Sequence, residues 1–117
     1  RQSTDMVASL DPVLRRGIIF IRHHLSEAIT VEDVSRHAGC SRRALERHFR
    51  VHFGHGPYEE ILRSRINRAK QYLSHSPKTV EEISSMCGFS EPNLFYTQFR
   101  KRVGTSPREW RRNAGRR

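Results

Sequence analysis

The chain has 117 residues, with 22 Lys and Arg against 12 Asp and Glu, a net charge of +10 and an isoelectric point near 11.0. Its length suits one domain or two very small ones, and its basic surplus makes a polyanionic partner the first one to consider. The two cysteines form no CxxC pair, no apolar run approaches the ~20 residues of a membrane span, and no export leader is visible. These features argue against a disulfide framework, a CxxC zinc site and a membrane-spanning protein.

The N-terminal part of the chain divides into a polar lead and a first helix. Residues 1–10 are polar without a sustained period, and we interpret them as the remnant of a linker from an upstream domain. Asp11 and Pro12 are a helix cap followed by proline at the first helical position, which predicts a helix start. The apolar stripe of this helix comprises Leu14, Ile18, Ile21 and Leu25.

An internal repeat organises the rest of the chain. Residues 30–41 (TVEDVSRHAGCS) align with residues 79–90 (TVEEISSMCGFS), and after one inserted residue the similarity extends to Glu59 and Glu109. The sequence therefore predicts two copies of one unit rather than one continuous fold.

Each copy carries the pattern of two short helices joined by a tight turn. A threonine cap and an acid three residues later form a capping-box pattern, a glycine ends the first helix, a serine caps the second, and another glycine stops it. In the second helices, Leu45 and Phe49, or Phe95 and Phe99, lie one turn apart on one face. Together these features predict a helix-turn-helix in each copy. The punctuating residues are Thr30 and Thr79, Asp33 and Glu82, Gly39 and Gly88, Ser41 and Ser90, and Gly54 and Gly104.

A long helix is predicted between the two copies, over residues 57–76. Its length of roughly 28 Å is of the right order to hold two DNA-reading helices one duplex turn, about 34–36 Å, apart. A short last helix begins at Ser106 and Pro107 and contains Trp110, which we expect to fill the last small core. The apolar stripe of the long helix comprises Tyr58, Leu62, Ile66, Ala69 and Leu73.

The predicted fold is therefore all-α, with two helix-turn-helix subdomains joined by a long linker helix and about seven helices in all. The subdomains span residues 11–56 and 77–113, and the linker helix lies between them. Residues 114–117 form a basic tail, which either adds attraction for phosphates or is a solvated terminus without a role.

The second helix of a helix-turn-helix enters the major groove, so its outward side chains are the candidate DNA contacts. In the first copy these side chains are Arg42, Arg43, Glu46, Arg47 and Arg50. Arginine can pair with guanine through O6 and N7, and glutamate can accept from cytosine N4. For Glu46 the alternative is an i, i+4 ion pair with Arg42 or Arg50 on a solvated face.

The second copy offers a chemically different face. Asn93 can pair with adenine, Thr97 can touch a thymine methyl group, and Tyr96 can pack on a sugar or base edge. Arg100 and Lys101 follow on the same helix and suit phosphates better than bases. Two unlike reading helices predict an asymmetric site in two successive major grooves of double-stranded DNA, rather than a palindrome.

Other chemistries find little support in the sequence. His48 and His52 have metal-pair spacing on one helix, but no carboxylate ligand accompanies them, so we expect no metal site. Cys40 and Cys87 lie beside turn glycines, where packing in the core is expected rather than redox sensing. No Gly-rich phosphate loop, nucleophile elbow or paired-carboxylate motif is present, so we expect neither an enzyme nor a cofactor.

Two rival functions stay open at this point. A nonspecific architectural protein or an RNA-binding protein would need only the basic charge. An enzyme with this module appended would carry its chemistry in another part of a longer chain.

Three stretches, SRRALERHFR, RINRAKQYL and TVEEISSMCGFSEPNLFYTQFRKRVGTSPREWR, resemble the DNA-binding domain of the AraC/XylS family, and the resemblance covers residues 12–112. It implies two helix-turn-helix subdomains bridged by a long helix, with a separate effector-sensing or dimerisation domain. Pro92 stands where the family often has a polar residue, and Arg65 matches an arginine of the bridging helix that we interpret as a structural ion pair between the subdomains. The base-contacting positions implied by the resemblance are Arg43, Glu46, Arg47, Pro92, Asn93, Tyr96 and Thr97, and we expect phosphate contacts from Ser41, Arg42, Arg50, Ser90, Arg100 and Lys101.

Within the family, the segments DPVL, FIRHH, EISSMCG, FYTQF and TSPREW most resemble the C-terminal domains of xylose-operon regulators. This similarity implies a bacterial transcription activator of sugar-use genes, with xylose as one candidate effector sensed by a missing upstream domain. RNA polymerase is an expected partner, and the expected location is the cytoplasm, at the nucleoid. A regulator of the same family with a different effector is the alternative.

Overall fold

The computed structural model describes residues 10–115, and every regular element in that range is an α-helix. The predicted all-helical fold is confirmed. The predicted linker remnant and basic tail fall largely outside the described residues, at positions 1–9 and 116–117. Within residues 10–115 there are seven helices: α1 Pro12–His23, α2 Val31–Ala38, α3 Arg42–Phe53, α4 Pro57–His75, α5 Val80–Met86, α6 Pro92–Val103 and α7 Pro107–Ala114.

The chain forms two compact units. The first comprises the described chain up to His24 together with Ile29–Ile61, and it therefore contains α1, α2, α3 and the first turn of α4. The second comprises the short segment Leu25–Ala28 and the described chain from Leu62 onward, with the rest of α4 and α5 to α7.

Side-chain caps start the helices of the first unit at the predicted residues. The Asp11 carboxylate accepts from the Leu14 amide at 2.9 Å, and the Ser41 hydroxyl accepts from the Ala44 amide at 3.1 Å. Thr30 and the residue three positions later form the predicted capping box, with both reciprocal bonds present. Such caps satisfy amide groups that have no partner inside the helix, which matters most for α2, because it has only 8 residues.

The core of the first unit is built from the apolar faces of α1, α2 and α3. Of the predicted stripe, Leu14, Ile18 and Ile21 are buried in α1, but Leu25 lies beyond the end of the helix and belongs to the second unit. Phe49 of α3 lies against α1 at Gly17. At the end of α2, the Arg16 guanidinium donates to the Ala38 carbonyl through Nε at 3.0 Å and Nη2 at 2.7 Å. An arginine of α1 thus satisfies a carbonyl group at the C-terminus of α2.

The second unit has an aromatic core. Its buried cluster includes four side chains of α4, two of α5, and Phe95 and Phe99 of α6, whose ring centroids are 5.7 Å apart. Trp110 of α7 packs against this cluster as expected, 6.3 Å from the Phe99 centroid, and donates from Nε1 to the Ser74 hydroxyl at 3.2 Å. The Lys70 ammonium lies 5.0 Å from the Trp110 ring centroid, a distance suited to a cation–π contact.

The predicted apolar stripe of α4 is wrong at one residue, Tyr58. Leu62 and the three later members of the stripe are buried, but Tyr58 is 59% exposed. The first turn of α4 belongs to the first unit, which buries Pro57 and Ile61 instead. Pro57 and Ile61 directly precede Tyr58 and Leu62 in the sequence and share a neighbouring face of the helix. The buried face of α4 therefore changes between its first turn and the rest of the helix.

Arg65 is a structural residue of the second unit. Its side chain is 9% exposed, its Nε donates to the Leu25 carbonyl at 3.3 Å, and its Nη2 donates to the Glu27 carbonyl at 2.9 Å. These bonds attach the segment Leu25–Ala28 to α4. These bonds give Arg65 a structural role within its own unit, and the predicted ion pair between the subdomains stays a prediction.

The predicted cap of the second recognition helix is wrong. Helix α6 begins at Pro92, and its N-cap is Glu91, which makes no side-chain cap bond, whereas Ser90 lies one residue further out in a bend. A proline restricts the residue before it to extended backbone, and Glu91 has φ −143° and ψ 144°. The cap position is therefore displaced by the residue that the second copy has inserted.

None of the helices within residues 10–115 is both long enough and apolar enough to cross a lipid bilayer.

Gly88 and Gly104 offer a matched test of the packing in the second unit. Both have positive φ, 89° and 95°, but a Cβ on Gly88 would lie 2.2 Å from the Leu25 carbonyl oxygen and 2.7 Å from Arg65 Nε, whereas a Cβ on Gly104 would meet nothing within 4 Å. We expect Gly104→Ala to lower the free energy of unfolding by about 1–2 kcal/mol, the cost of left-handed backbone. Gly88→Ala should cost about 2–5 kcal/mol, because steric displacement of the 25–28 segment adds to that strain.

Urea unfolding followed by circular dichroism measures both variants. Similar losses for Gly88→Ala and Gly104→Ala would show that the close approach of Gly88 to Leu25 and Arg65 contributes little to stability.

Candidate nucleic-acid interface

The outer face of α3 carries the predicted residues of the first unit. Leu45 and Phe49 are completely buried, which turns the opposite face of the helix toward solvent. Arg43 and Arg47 are exposed on that face, and Arg50 is exposed one turn further along. Arginine side chains held on a rigid helix by buried anchors are suited to bidentate pairing with guanine or to phosphate contact.

Arg42, Glu46 and Glu32 form a small ion-pair network at the start of α3. The Arg42 Nε lies 3.7 Å from the Glu46 carboxylate, and Arg42 also donates to the carboxylate of Glu32, which lies on α2. The Glu32 backbone amide, and after it the Arg42 guanidinium, hold the pKa of the Glu32 carboxyl below its ordinary value. The ion pair that the sequence offered as the alternative for Glu46 is therefore present, and Glu32 is a member that the sequence did not indicate.

The outer face of α6 carries the predicted residues of the second unit. Phe95 and Phe99 are buried, and Pro92, Asn93 and Thr97 are exposed on the other side. Pro92 occupies the first turn of the helix, where it has no amide hydrogen to offer to DNA. Further along the helix the cations expected to contact phosphates are exposed, namely Arg100 and Lys101.

Tyr96 is held at the edge of this face by two charged side chains. Its hydroxyl donates to the Glu81 carboxylate of α5 at 3.2 Å and accepts from Arg108 Nη2 of α7, also at 3.2 Å. Arg108 and Glu81 are 3.4 Å apart, which closes the triangle. Sequence reasoning missed Arg108, because the cap at Ser106 predicted where α7 begins but not the direction in which it runs toward α6.

The two serines expected to contact phosphates differ in their surroundings. The Ser41 side chain is exposed, and its oxygen accepts from the Ala44 amide as the cap of α3. Ser90 is exposed in the bend before α6 and does not cap that helix. The predicted residues thus fall into two groups, one in each unit, with Ser41 to Arg50 on and beside α3 and Ser90 to Lys101 on and beside α6.

Two of the histidines lie beside acidic side chains. His48 Nδ1 lies 3.2 Å from the Asp11 carboxylate, and His55 Nε2 lies 2.7 Å from the Glu60 carboxylate. In the described part of the chain, no three His, Cys, Asp or Glu side chains are grouped so that they could hold a metal ion.

Each helix-turn-helix unit has a second helix that is held by two buried side chains and that exposes polar and cationic side chains on its other face. This arrangement defines a DNA-binding protein of the helix-turn-helix class. The family described as "Helix-turn-helix domain" matches residues 34–113 of the chain. The DNA-binding domain of AdpA, solved in complex with a target DNA, superposes with a TM-score of 0.85 at 31% identity, covering 92% of this chain and 96% of that domain.

Two relatives extend this assignment. The xylose operon regulatory protein of Escherichia coli K12 is 32% identical over 111 residues, which are 95% of this chain and 28% of that protein. The transcriptional activator RhaS of Escherichia fergusonii is 36% identical over 101 residues, which are 86% of this chain and 36% of that protein. The chain belongs to the AraC/XylS family of DNA-binding domains, a family of transcription regulators rather than enzymes, and it spans 28% and 36% of the length of these two relatives.

The two cysteines should differ sharply in reactivity. Cys87 is fully buried, and burial raises the pKa of its thiol to about 11, so only ~0.1% is thiolate at pH 8. Cys40 is partly exposed in the turn before α3, although burial also raises the pKa of its thiol. We expect an aromatic disulfide reagent to modify Cys40 in the native protein and Cys87 only after unfolding.

The release of chromophore with time measures both reactions. Cys40→Ser should remove the native phase and Cys87→Ser should leave it unchanged, whereas rapid reaction of the Cys40→Ser variant would contradict the burial of Cys87.

Proposed function

We propose that this chain is the C-terminal output domain of a bacterial transcription regulator and that it binds one asymmetric site on double-stranded DNA. In this proposal α3 and α6 enter successive major grooves and each reads its own half of the site. The regulator activates genes for the use of a sugar, and xylose is the first sugar to test.

The observation that carries this proposal is the difference between the two exposed helix faces. The face of α3 is rich in arginine, with Arg43 and Arg47 exposed, whereas the face of α6 offers Asn93 and Thr97, which are neutral. Arginine favours guanine, asparagine favours adenine, and a threonine methyl group can contact thymine. Two copies of one unit with unlike reading chemistry fit a site with two unlike halves.

The residues take separate roles within the proposal. Side chains near the start and middle of each recognition helix contact base edges, and caps and later cations contact phosphates and fix the register. Arg42 is the first residue of α3 and is one of the proposed phosphate contacts. The proposed base contacts are Arg43, Glu46, Arg47, Pro92, Asn93, Tyr96 and Thr97, and the proposed phosphate contacts are Ser41, Arg42, Arg50, Ser90, Arg100 and Lys101.

The sensor and the protein partners belong to the whole regulator. The xylose operon regulatory protein and RhaS are each much longer than the matching segment, which supports a further domain that senses the effector. RhaS is named a transcriptional activator, which supports activation. RNA polymerase as a partner and the cytoplasm as the location are further parts of the proposal. Because the two relatives have similar identity to this chain, a different effector is the alternative to xylose.

Selection from random duplexes tests the DNA-binding part of the proposal. Enrichment of one asymmetric sequence would support it, and equal affinity for all duplexes at fixed salt would favour a nonspecific architectural protein instead. For the effector, the full-length regulator should change its occupancy of the selected site when xylose is added, and a panel of other sugars serves as the control.

Binding should depend strongly on salt. Arginines, lysines and helix N-termini in two grooves would cover about 6–10 phosphates and release their counterions, so affinity should fall by about 10³–10⁵ between 50 and 200 mM salt. Fluorescence anisotropy with the selected duplex measures this fall. A nearly flat plot of log affinity against log salt would contradict phosphate contact on this scale.

Base preference should separate by unit. Arg47→Ala should cost about 1–3 kcal/mol of binding free energy and relax preference at one or two base pairs in one half of the site. Asn93→Ala should do the same in the other half. Lys78→Ala removes an exposed cation outside both recognition helices and should leave base preference unchanged.

Selection from random DNA with each variant makes the comparison. If Arg47→Ala and Asn93→Ala relaxed the same base pairs, the assignment of one helix to each half of the site would be wrong.

A further inference from the structure

Two glutamates occupy the same place in the two copies and make the same kind of contact. Glu32 is the second residue of α2, and Glu81 is the second residue of α5. In the alignment of the copies, Thr30 matches Thr79, so Glu32 matches Glu81. Each glutamate reaches from the first helix of its helix-turn-helix to a group beside the recognition helix.

In the first unit the contact runs through Arg42. Glu32 accepts from Arg42 Nη1, and Arg42 Nε lies 3.7 Å from the carboxylate of Glu46. Glu46 is a proposed base contact. The arginine is therefore held between an acid of α2 and a reading side chain of α3.

In the second unit the contact runs through Arg108. Glu81 accepts from the Tyr96 hydroxyl and lies 3.4 Å from Arg108 Nη2, which itself donates to the Tyr96 hydroxyl. With the inserted residue taken into account, Tyr96 of α6 matches Glu46 of α3. Both units thus join a first-helix glutamate, an arginine and the same position of the recognition helix, although the arginines come from unrelated places in the chain.

These ion-pair networks contribute little to the stability of the fold. The side chains of Arg42 and Glu32 are 54% and 52% exposed, and those of Arg108 and Glu81 are 62% and 53% exposed. Ion pairs this exposed to water contribute little to stability. The recurrence of the arrangement in both copies, built from different arginines, therefore calls for a role outside folding.

We propose that Glu32 and Glu81 are positioning residues that raise the discrimination of this domain between its specific site and other DNA. This inference rests on the proposed function. Each glutamate competes with DNA phosphates for its arginine, which weakens contact with phosphates in general, and it holds the reading side chain at one position before DNA arrives.

The two effects act on different kinds of binding. Nonspecific binding comes almost entirely from contacts between cations and phosphates, so an arginine engaged by a glutamate contributes less to it. Specific binding adds base contacts, and a reading side chain already held in place loses less conformational freedom when those contacts form. Discrimination between specific and other DNA should therefore fall when the carboxylate charge is removed.

The test compares Glu32→Gln and Glu81→Gln with the unmodified chain on the selected duplex and on random duplex. Glutamine keeps the size of the side chain and removes its charge. Glu82→Gln, beside Glu81 on α5 but outside both networks, removes the same charge, and glutamine can keep the capping bond from the Thr79 amide, so this variant serves as the matched control. Circular dichroism checks that each variant folds.

We expect each network variant to bind random duplex about 3–10-fold more tightly at 50 mM salt, with a salt slope steeper by about 0.9, the value for one added phosphate contact. Affinity for the selected duplex should change by less, so the ratio of the two affinities falls. Glu32→Gln should relax base preference only in the half read by the first unit, and Glu81→Gln only in the other half. The control should change neither quantity.

Equal changes on both duplexes, or the same effect from Glu82→Gln, would overturn the proposal in favour of a general effect of net charge. Unaltered binding to random duplex together with unaltered base preference would overturn it as well. The unmodified chain is measured first. If it does not prefer the selected duplex over random duplex, the proposed function fails, and this failure is distinct from that of the glutamate proposal.

Discussion

Each recognition helix is anchored in its unit by two buried side chains one turn apart, Leu45 and Phe49 in α3 and Phe95 and Phe99 in α6. In a helix with 3.6 residues per turn, burying two such residues fixes the rotation of the helix about its own axis. The exposure of the residues on the opposite face then follows from this rotation alone. A helix rotated by one residue, about 100°, would bury reading side chains and expose a phenylalanine, so the candidate interface depends on this packing.

The basic charge of the chain serves two purposes, of which DNA binding is only one. Arg16 donates to the Ala38 carbonyl, and Arg111 donates to the carbonyl groups of Leu73 and Ser76 beside the end of α4. A guanidinium group has five donors in a fixed plane and can therefore satisfy the carbonyl groups that a helix leaves without partners at its C-terminus. Net charge thus indicates the kind of partner, but it overstates the number of cations available to contact it.

Local chemistry explains which sequence predictions succeeded. The caps at Thr30 and Ser41 depend on residues three positions apart, and both formed as expected. The cap at Ser90 failed because Pro92 displaced the helix start, and the burial of Tyr58 failed because a neighbouring unit determines which face of α4 is covered. The contacts of Arg108 depend on how α7 packs, and base contacts depend on where DNA lies, so neither can be derived from helical periodicity.

The short segment Leu25–Ala28 makes the second copy dependent on sequence that precedes the first copy. It follows α1 in the chain, yet it belongs to the second unit, where Arg65 binds its carbonyl groups and Gly88 lies close against it. A piece of sequence that precedes the first copy is thus part of the packing of the second. The two halves of the chain are therefore not interchangeable. A chimera that takes the second unit from a relative must also take that relative's version of this segment. Otherwise the contacts that Leu25 makes with Arg65 and Gly88 must be redesigned.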